Sequence, residues 1–450
     1  EMSKRRFFGG KGISEIPQGI MTGKLSGIPG EAEEFCSAFG FDFILEAGQK
    51  VTVCLEAGAA LSRDEITQKS EYFSLEYVEK TEALTRDKWD EKLDGFYIRT
   101  PDPNLNAFGN YWLKKQIIQL TEQNRGGTYC PVRNRLQDAL GYAILWPQKA
   151  KKYIFDVVKL QRKDGFIQQW HDTSGAPPRG LCFLKHTDGP VWLVICAEAL
   201  VRYSGDPDLL HEMIPYADGG EGSLLEHMTI ALKYLAGQVG ERGMCLMGDG
   251  DWNDPINGAG RLGKGESVWL SEAFIYAVDR LVPYLGKYDP VSEFELTQAA
   301  EQIKDAINTN AWCGDRYAVA VHDDGTLMGD KNDRLFLNTQ SWAILSKVAD
   351  KEKTEIIMQS VKDQLDTPFG PLLLYPPFKA WDERWGRLSV KQAGATENGS
   401  VYCHASMFYA FAQGELADGD GMFETIQKTL PTNPWNPPEK NLQVPIYLAN

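Results

Sequence analysis

The sequence predicts a mainly α-helical fold, an α/α toroid of paired helices behind a short β segment. Three observations predict it. From about residue 106 onward, apolar residues recur at three- and four-residue steps in about eleven separate runs. Loops rich in Gly, Pro, Asp and Asn separate those runs and hold most of the unusual residues. No short-period repeat of the tetratricopeptide or ankyrin kind is present. A closed toroid needs twelve helices in six hairpins, and the count stops one short.

The elements follow in order. Residues 41–45 and 50–55 are short β-type runs with Gly48 in the turn between them. Two such strands are not stable alone, so residues 1–60 read as the remnant of a β-domain. Residues 61–105 read as a charged helical linker. The barrel then occupies 106–450, with helices expected over 111–120, 139–145, 153–160, 191–201, 224–236, 268–285, 294–307, 341–348, 355–365, 406–416 and 422–430.

Composition narrows the function. Hydrophobic residues are 43% and charged residues 24% of 450, which excludes intrinsic disorder. The net charge of −15 repels phosphate backbones and anionic lipid, so neither nucleic acid nor membrane is an expected partner. No apolar run reaches the ~18–20 residues of a membrane helix, and residues 1–20 lack the apolar stretch of a signal peptide. Eight scattered cysteines without a CxxC pair argue against structural zinc or a disulfide framework and fit a reducing cytoplasm. The six histidines show no metal-ligand spacing. Aromatic residues are 11%, and Trp170, Trp252, Trp381, Trp385 and Trp435 stand beside polar residues or glycines. Such faces suit sugar rings, and the plain alternative is a set of core aromatics.

The densest polar cluster is Gly248-Asp249-Gly250-Asp251-Trp252-Asn253-Asp254. It matches the first half of a calcium loop, yet Asp254 stands where the turn glycine belongs and Gly260 where the bidentate Glu belongs. A catalytic loop, with one carboxyl protonating a leaving oxygen beside Trp252, and a solvated acidic turn are the other readings. Gly263-Lys264-Gly265-Glu266-Ser267 resembles a phosphate loop only superficially, because Gly265 follows the lysine and no strand precedes it. It reads as a loop ending in a helix cap. Arg133 and Asp138 open a helix, five residues apart, and would converge at its N-terminus to hold two vicinal hydroxyls, unless they form a surface ion pair. Around a glycine turn lie Glu397, Asn398 and His404, the histidine either an anion donor or a satisfied core residue.

These segments together resemble glycoside hydrolase family 94, the inverting β-glycoside phosphorylases. The resemblance runs in order through Arg133 to Asp138, Gln169-Trp170-His171, Gly250 to Asp254, Gly263 to Trp269, Glu397-Asn398-Gly399 and Cys403-His404-Ala405. It implies an N-terminal β-sandwich, a helical linker and an (α/α)6 barrel, here without the first part of the sandwich and the last barrel helix. It implies Asp254 as general acid. Arg133, Asp138 and Trp252, with Asn253 and Trp170 nearby, would hold the sugar, and Glu397 would contact the leaving sugar. His404 and Arg125 would bind phosphate. Thr396 stands where cellobiose phosphorylases carry Lys, and Asn134 where the family often has Asp.

The expected reaction is reversible phosphorolysis of a β-linked gluco-oligosaccharide with inversion, releasing α-glucose 1-phosphate. Phosphate is a co-substrate, and no cofactor or metal is implied. Phosphate is already a nucleophile, so one carboxylic acid suffices where an inverting hydrolase needs two. Asp254 is accordingly expected to have a raised pKa through burial against Trp252 and neighbouring acids. The alternatives are an inverting β-glucan hydrolase with Glu397 as base, and a non-catalytic sugar-binding fragment. A homodimer is compatible with the resemblance.

Overall fold

The computed structural model describes residues 3–9, 16–27, 36–71, 73–122, 129–172 and 185–437. The chain divides into two compact units, Glu1–Trp89 and Asp90–Asn450.

The first unit holds α1 (Lys4–Phe8), α2 (Gln18–Thr22), α3 (Arg63–Glu71) and most of α4 (Leu75–Leu93). The charged segment is thus helical, as its pattern predicts. The strands expected over 41–45 and 50–55 do not form. Both runs are extended and join through a turn in which Gln49 N–H donates to the Glu46 carbonyl at 2.9 Å, but no ladder links them. Alternating residues make a strand only where one face can be buried, and here Ile44 is 94% exposed and Leu55 61%.

The second unit is helical. It begins with α5 (Pro103–Ala107), a π turn over Phe108–Trp112 and α6 (Leu113–Glu122). It continues through α7 (Val132–Leu145), α8 (Pro147–Val158), α9 (Gly189–Ser204), α10 (Leu224–Ala236), α11 (Val268–Tyr288), α12 (Pro290–Asn310), α13 (Leu337–Leu345), α14 (Lys351–Gln364), α15 (Cys403–Glu415) and α16 (Gly419–Thr429). From α6 to α16 each helix matches one expected apolar run. The described residues contain these eleven.

Their packing sorts them into two rings. Helices α7, α9, α11, α13 and α15 pack on one another in succession and form the inner wall of an (α/α)6 barrel. The even-numbered helices lie outside, α10 on both α9 and α11, α12 on α11, α14 on α13 and α16 on α15. Composition follows position. Every residue of α9 from Pro190 to Val201 is buried, and so is all of α13, as expected of helices with neighbours on every side. Helix α14 buries only Ile357, Ser360 and Val361 and turns a charged face outward.

Short antiparallel strand pairs brace the loops. β1 (Tyr129–Pro131) pairs with β2 (Trp170–Asp172), and β3 (Met213–Pro215) with β4 (Glu221–Ser223). β5 (Glu266–Ser267), β6 (Ala320–Val321) and β7 (Leu327–Met328) form a three-stranded sheet in that order. β8 (Leu335–Phe336) pairs with β9 (Leu374–Tyr375). β1, β5 and β8 each lead directly into an inner helix. The loops at this end share their own apolar core, in which Met247, Ile256, Phe336, Leu374, Trp385 and Leu388 are buried together.

The barrel interior is aromatic. Trp192 of α9 lies 5.8 Å from Trp342 of α13, which lies 5.5 Å from Trp269 of α11 and 5.2 Å from Phe408 of α15, ring centre to ring centre. Beside this wall, Glu272 on α11 and Asn338 on α13 are fully buried, and none of their side-chain oxygens and nitrogens meets a protein hydrogen-bond partner. Burial alone pushes the Glu272 carboxyl well above its ordinary range. The folded state therefore holds a proton that the unfolded chain releases above the usual glutamate range, and stability falls as pH rises through that window. Glu272→Gln removes the dependence. The variant is expected to match the wild type near pH 4 and to exceed it at pH 8, where the wild type loses stability by holding a proton that its unfolded chain has released. Thermal unfolding across that pH range checks this.

Candidate active site

The inner helices start at the end of the barrel where the loops gather. Arg133 stands in the first turn of α7 and is 5% exposed. Its Nη1 donates to Asp188 Oδ2 at 2.7 Å and to the Asp251 carbonyl at 2.8 Å, and its Nη2 donates to Asp254 Oδ1 at 2.6 Å. Asp188, the residue before α9, is fully buried and also accepts from Trp192 Nε1 at 3.2 Å. Burial works against the Arg133 charge, and the two carboxylates more than offset it, so the guanidinium is held protonated.

The loop 248–258 presents Asp254. Gly248 has φ +59° and sits where a Cβ would lie 2.4 Å from the Lys185 carbonyl, so only glycine fits this approach. Asp251 is fully buried and organises the turn. It accepts from Asn253 N–H at 2.7 Å, from Asn253 Nδ2 at 3.3 Å and from the Ser267 hydroxyl. Desolvation pushes its pKa up to about 6 in spite of these bonds. Ser267 in turn caps α11 through Leu270 N–H at 2.9 Å. One Asp251 oxygen is thus taken by Asn253 and the other by Ser267, which argues against the calcium reading. Trp252 is buried in the aromatic wall, 5.4 Å from the His404 ring and 5.7 Å from Phe408.

Asp254 differs from expectation. Its side chain is 44% exposed, where burial against Trp252 is the expectation. Desolvation raises its pKa, but His186, with Nδ1 3.3 Å from Oδ1, and Arg133 outweigh it, so the carboxyl lies below the usual aspartate range. The expected raised value is therefore corrected. The cations chosen by the tertiary fold decide the sign.

Other expected residues fall in several places. Asp138 stands five residues along α7 from Arg133. Five residues along a helix turn through roughly 500°, which leaves the two about 140° apart around α7, and Arg133 pairs with Asp188 and Asp254 instead. Trp170 lies on β2 opposite Pro131, next to the start of α7. Glu397 pairs with Lys391 Nζ. Its neighbour Asn398 is fully buried and ties Phe378 and Lys391 together through their backbones. This segment follows the 3₁₀ turn Gly386–Val390, which is fixed to the Asp254 loop. Leu388 N–H donates to the Pro255 carbonyl at 2.9 Å, Arg387 N–H to Asn257 Oδ1 at 2.9 Å and Arg387 Nη2 to the Asp254 carbonyl at 3.1 Å. His404 occupies the first turn of α15, its ring 4.4 Å from Phe408. Arg125 lies outside the described residues. In the look-alike phosphate loop, Leu262, Lys264 and Gly265 give their N–H groups to Asp323, which confirms a structural loop ending in the Ser267 cap.

Sequence reasoning missed Asp188, His186 and Arg387. Asp188 precedes Gly189-Pro190 and an apolar run, which is a helix-start signal. Nothing local marks His186 or Arg387. The structure also has a groove lined by Lys347, Lys362, Tyr409 and Lys428, among α14, α16 and the C-terminal ends of α13 and α15, far along the chain from the loops that carry Asp254.

Arg133→Met leaves Asp188 charged and buried without its partner. The expected cost is ~3–5 kcal/mol of unfolding free energy, with partial recovery in Arg133→Lys, which keeps charge but not the fork. Urea unfolding of the variants checks this.

Known proteins bear on this arrangement. The chain is 46% identical over its whole length to the 3-O-beta-D-glucopyranosyl-beta-D-glucuronide phosphorylase of Paenibacillus borealis, covering 59% of that protein. It is 33% identical to the solabiose phosphorylase of the same organism and 30% identical to the cellobionic acid phosphorylase of Neurospora crassa, covering 58% of each. The chain thus spans less than two thirds of the length of these curated relatives. Among solved structures, the GH63 mannosylglycerate hydrolase of Thermus thermophilus superposes with a TM-score of 0.52 at 11% identity, over 70% of this chain and 90% of that one, a likeness of fold. Residues 88–446 match the model of the glycosyl hydrolase 94 superfamily catalytic domain, and the chain belongs to that family.

Proposed function

We propose that this chain carries the catalytic centre of an inverting β-glycoside phosphorylase, which transfers a glucosyl group from a β-linked saccharide to phosphate and releases α-glucose 1-phosphate. The observation that carries the reading is the half-exposed Asp254 carboxyl, anchored through one oxygen by buried Arg133 at the start of the inner helices. The nitrogens of Arg133 and His186 are its partners there. Asp188 and Asp251 are buried and bonded, and Glu397 is held by Lys391. None of these is a free base for water, which weighs against the hydrolase reading.

The chemistry follows from charge. Asp254 Oδ2, the oxygen bonded by neither Arg133 nor His186, gives its proton to the glycosidic oxygen as the C1–O bond breaks. A phosphate oxygen attacks C1 from the opposite side. His404, at the positive end of α15, supports phosphate there. Arg133 and His186 keep Asp254 ionised in the free protein, so the acid must take up a proton as substrates bind. Dianionic phosphate and the loss of water around the carboxyl both favour that uptake. Over the cycle, hydrogen phosphate loses the proton that the leaving hydroxyl gains, so protons balance.

Two of the relatives are named for sugar acids, a glucuronide and cellobionic acid. Arg387 is exposed and its guanidinium touches the Asp254 carbonyl. A leaving sugar that carries a carboxylate would meet this cation. The acceptor in the reverse reaction is therefore proposed to be a sugar acid.

Asp254→Asn is expected to abolish phosphorolysis while sugar binding stays within about tenfold, because a general acid acts on the transition state. Near-normal turnover would remove Asp254 from this role. His404→Ala is expected to raise the KM for phosphate more than that for sugar. A screen of acceptors with α-glucose 1-phosphate should favour glucuronate over glucose, and Arg387→Ala should erase that preference, about tenfold for one charge-assisted hydrogen bond. Equal use of neutral and acidic acceptors by the wild type would sink the acidic assignment.

A further inference from the structure

We infer that His186 is a positioning residue for the proposed acid, fixing which oxygen of Asp254 carries the catalytic proton. The inference rests on the phosphorylase reading of Asp254. Two nitrogen groups converge on a single atom. Arg133 Nη2 lies 2.6 Å from Asp254 Oδ1, and His186 Nδ1 lies 3.3 Å from that same oxygen. Oδ2 receives neither, although the side chain is 44% exposed. The carboxyl is therefore clamped on one side and open on the other.

The protein builds a place for this histidine. His186 is 7% exposed, and its Nδ1 is buried with no fully aligned hydrogen bond, so Asp254 Oδ1 is the polar atom it addresses. Its backbone runs parallel to Gly250, and Thr187 N–H donates to the Gly250 carbonyl at 3.1 Å. The His186 ring lies over Gly250, where an added Cβ would be 3.3 Å from Cε1. Any side chain at 250 would press on that ring. The histidine and the loop that presents Asp254 are thus fastened together two residues before Asp188, the partner of Arg133.

The step is specific. The Oδ2–H bond breaks, the proton passes to the glycosidic oxygen, and that oxygen keeps the electron pair of its bond to C1. A phosphate oxygen donates the pair that forms the new bond to C1. Negative charge then appears on Asp254. A short tightening of the 3.3 Å approach turns the Nδ1–H of His186 into a charge-assisted hydrogen bond at that moment, without giving up its own proton. Interactions that strengthen as charge develops raise kcat rather than binding.

The test compares leaving groups in the full-length protein. With a β-glucosyl glucuronide disaccharide, His186→Ala should lower kcat about 30-fold, less than the roughly 10²–10⁴-fold of a general acid itself because Asp254 is still in place. With dinitrophenyl β-glucoside, whose phenolate departs unprotonated, kcat should stay within about threefold, because no proton is needed. His186→Asn places an amide N–H near the Nδ1 position and should recover kcat to within about fivefold of wild type, since it restores the donor to the developing charge. His186→Gln reaches the Nε2 position and should not. Equal losses on both substrates, an unchanged rate on the disaccharide, or Asn and Gln variants of equal rate would each overturn the inference. Should the Ala variant fail to fold, the Asn and Gln pair carries the comparison on both substrates. Wild-type protein that turns over neither substrate with phosphate would instead overturn the phosphorylase reading itself.

Discussion

Arg133 enters the loop end of the barrel from α7, and its guanidinium joins segments 55, 118 and 121 residues away in sequence. A buried cation has to find carboxylates, since an unpaired one would cost several kcal/mol. Asp188 and Asp254 supply them, and the Asp251 carbonyl accepts a third bond. The start of α7, the start of α9 and the Asp254 loop are therefore held in one geometry by one side chain. The fork of five donors on a planar group makes this possible where a lysine would offer a point charge. Every other feature of the site is arranged around that junction.

The barrel divides its labour between wall and loops. Inner helices α9 and α13 bury nearly everything they carry, and the tryptophans of α9, α11 and α13 pack on one another. The loops at the helix starts are packed over their own apolar core rather than left to solvent. Asp251 and Asp323 then use carboxylate oxygens to satisfy loop N–H groups, which gives irregular backbone the rigidity of a helix end. Residues with catalytic potential stand on a braced frame, and the exposed half of Asp254 is the part left to meet substrate.

The electrostatic consequence is a division among acids that look alike in sequence. Asp251 and Asp254 are three residues apart, yet burial raises the first to about 6 while His186 and Arg133 bring the second below its ordinary range. Distance to a cation, set by folding, reverses the effect of desolvation. The same logic separates Arg133 from Asp138. Both are legible as candidates, but only the fold shows that Arg133 takes its partners from the start of α9 and from the Asp254 loop. Glu397 and Asn398 are also legible, though only the fold reveals that the amide is a backbone clamp and the acid a partner of Lys391.

The sequence by itself determined the helices, their order and the motif run from Arg133 to His404, because periodicity and local chemistry are written along the chain. It also marked the loop around Trp252 and Asp254 as the unusual one. It overstates the strands over 41–45 and 50–55, since alternation reports a face that wants burial and says nothing of whether a partner is there to bury it. Which atoms share Arg133, which way the pKa of Asp254 moves, and that His186 and Arg387 belong beside it were decided only by tertiary structure. Those relations depend on distances between residues up to 133 positions apart, and Coulomb forces and hydrogen bonds act through space rather than along sequence.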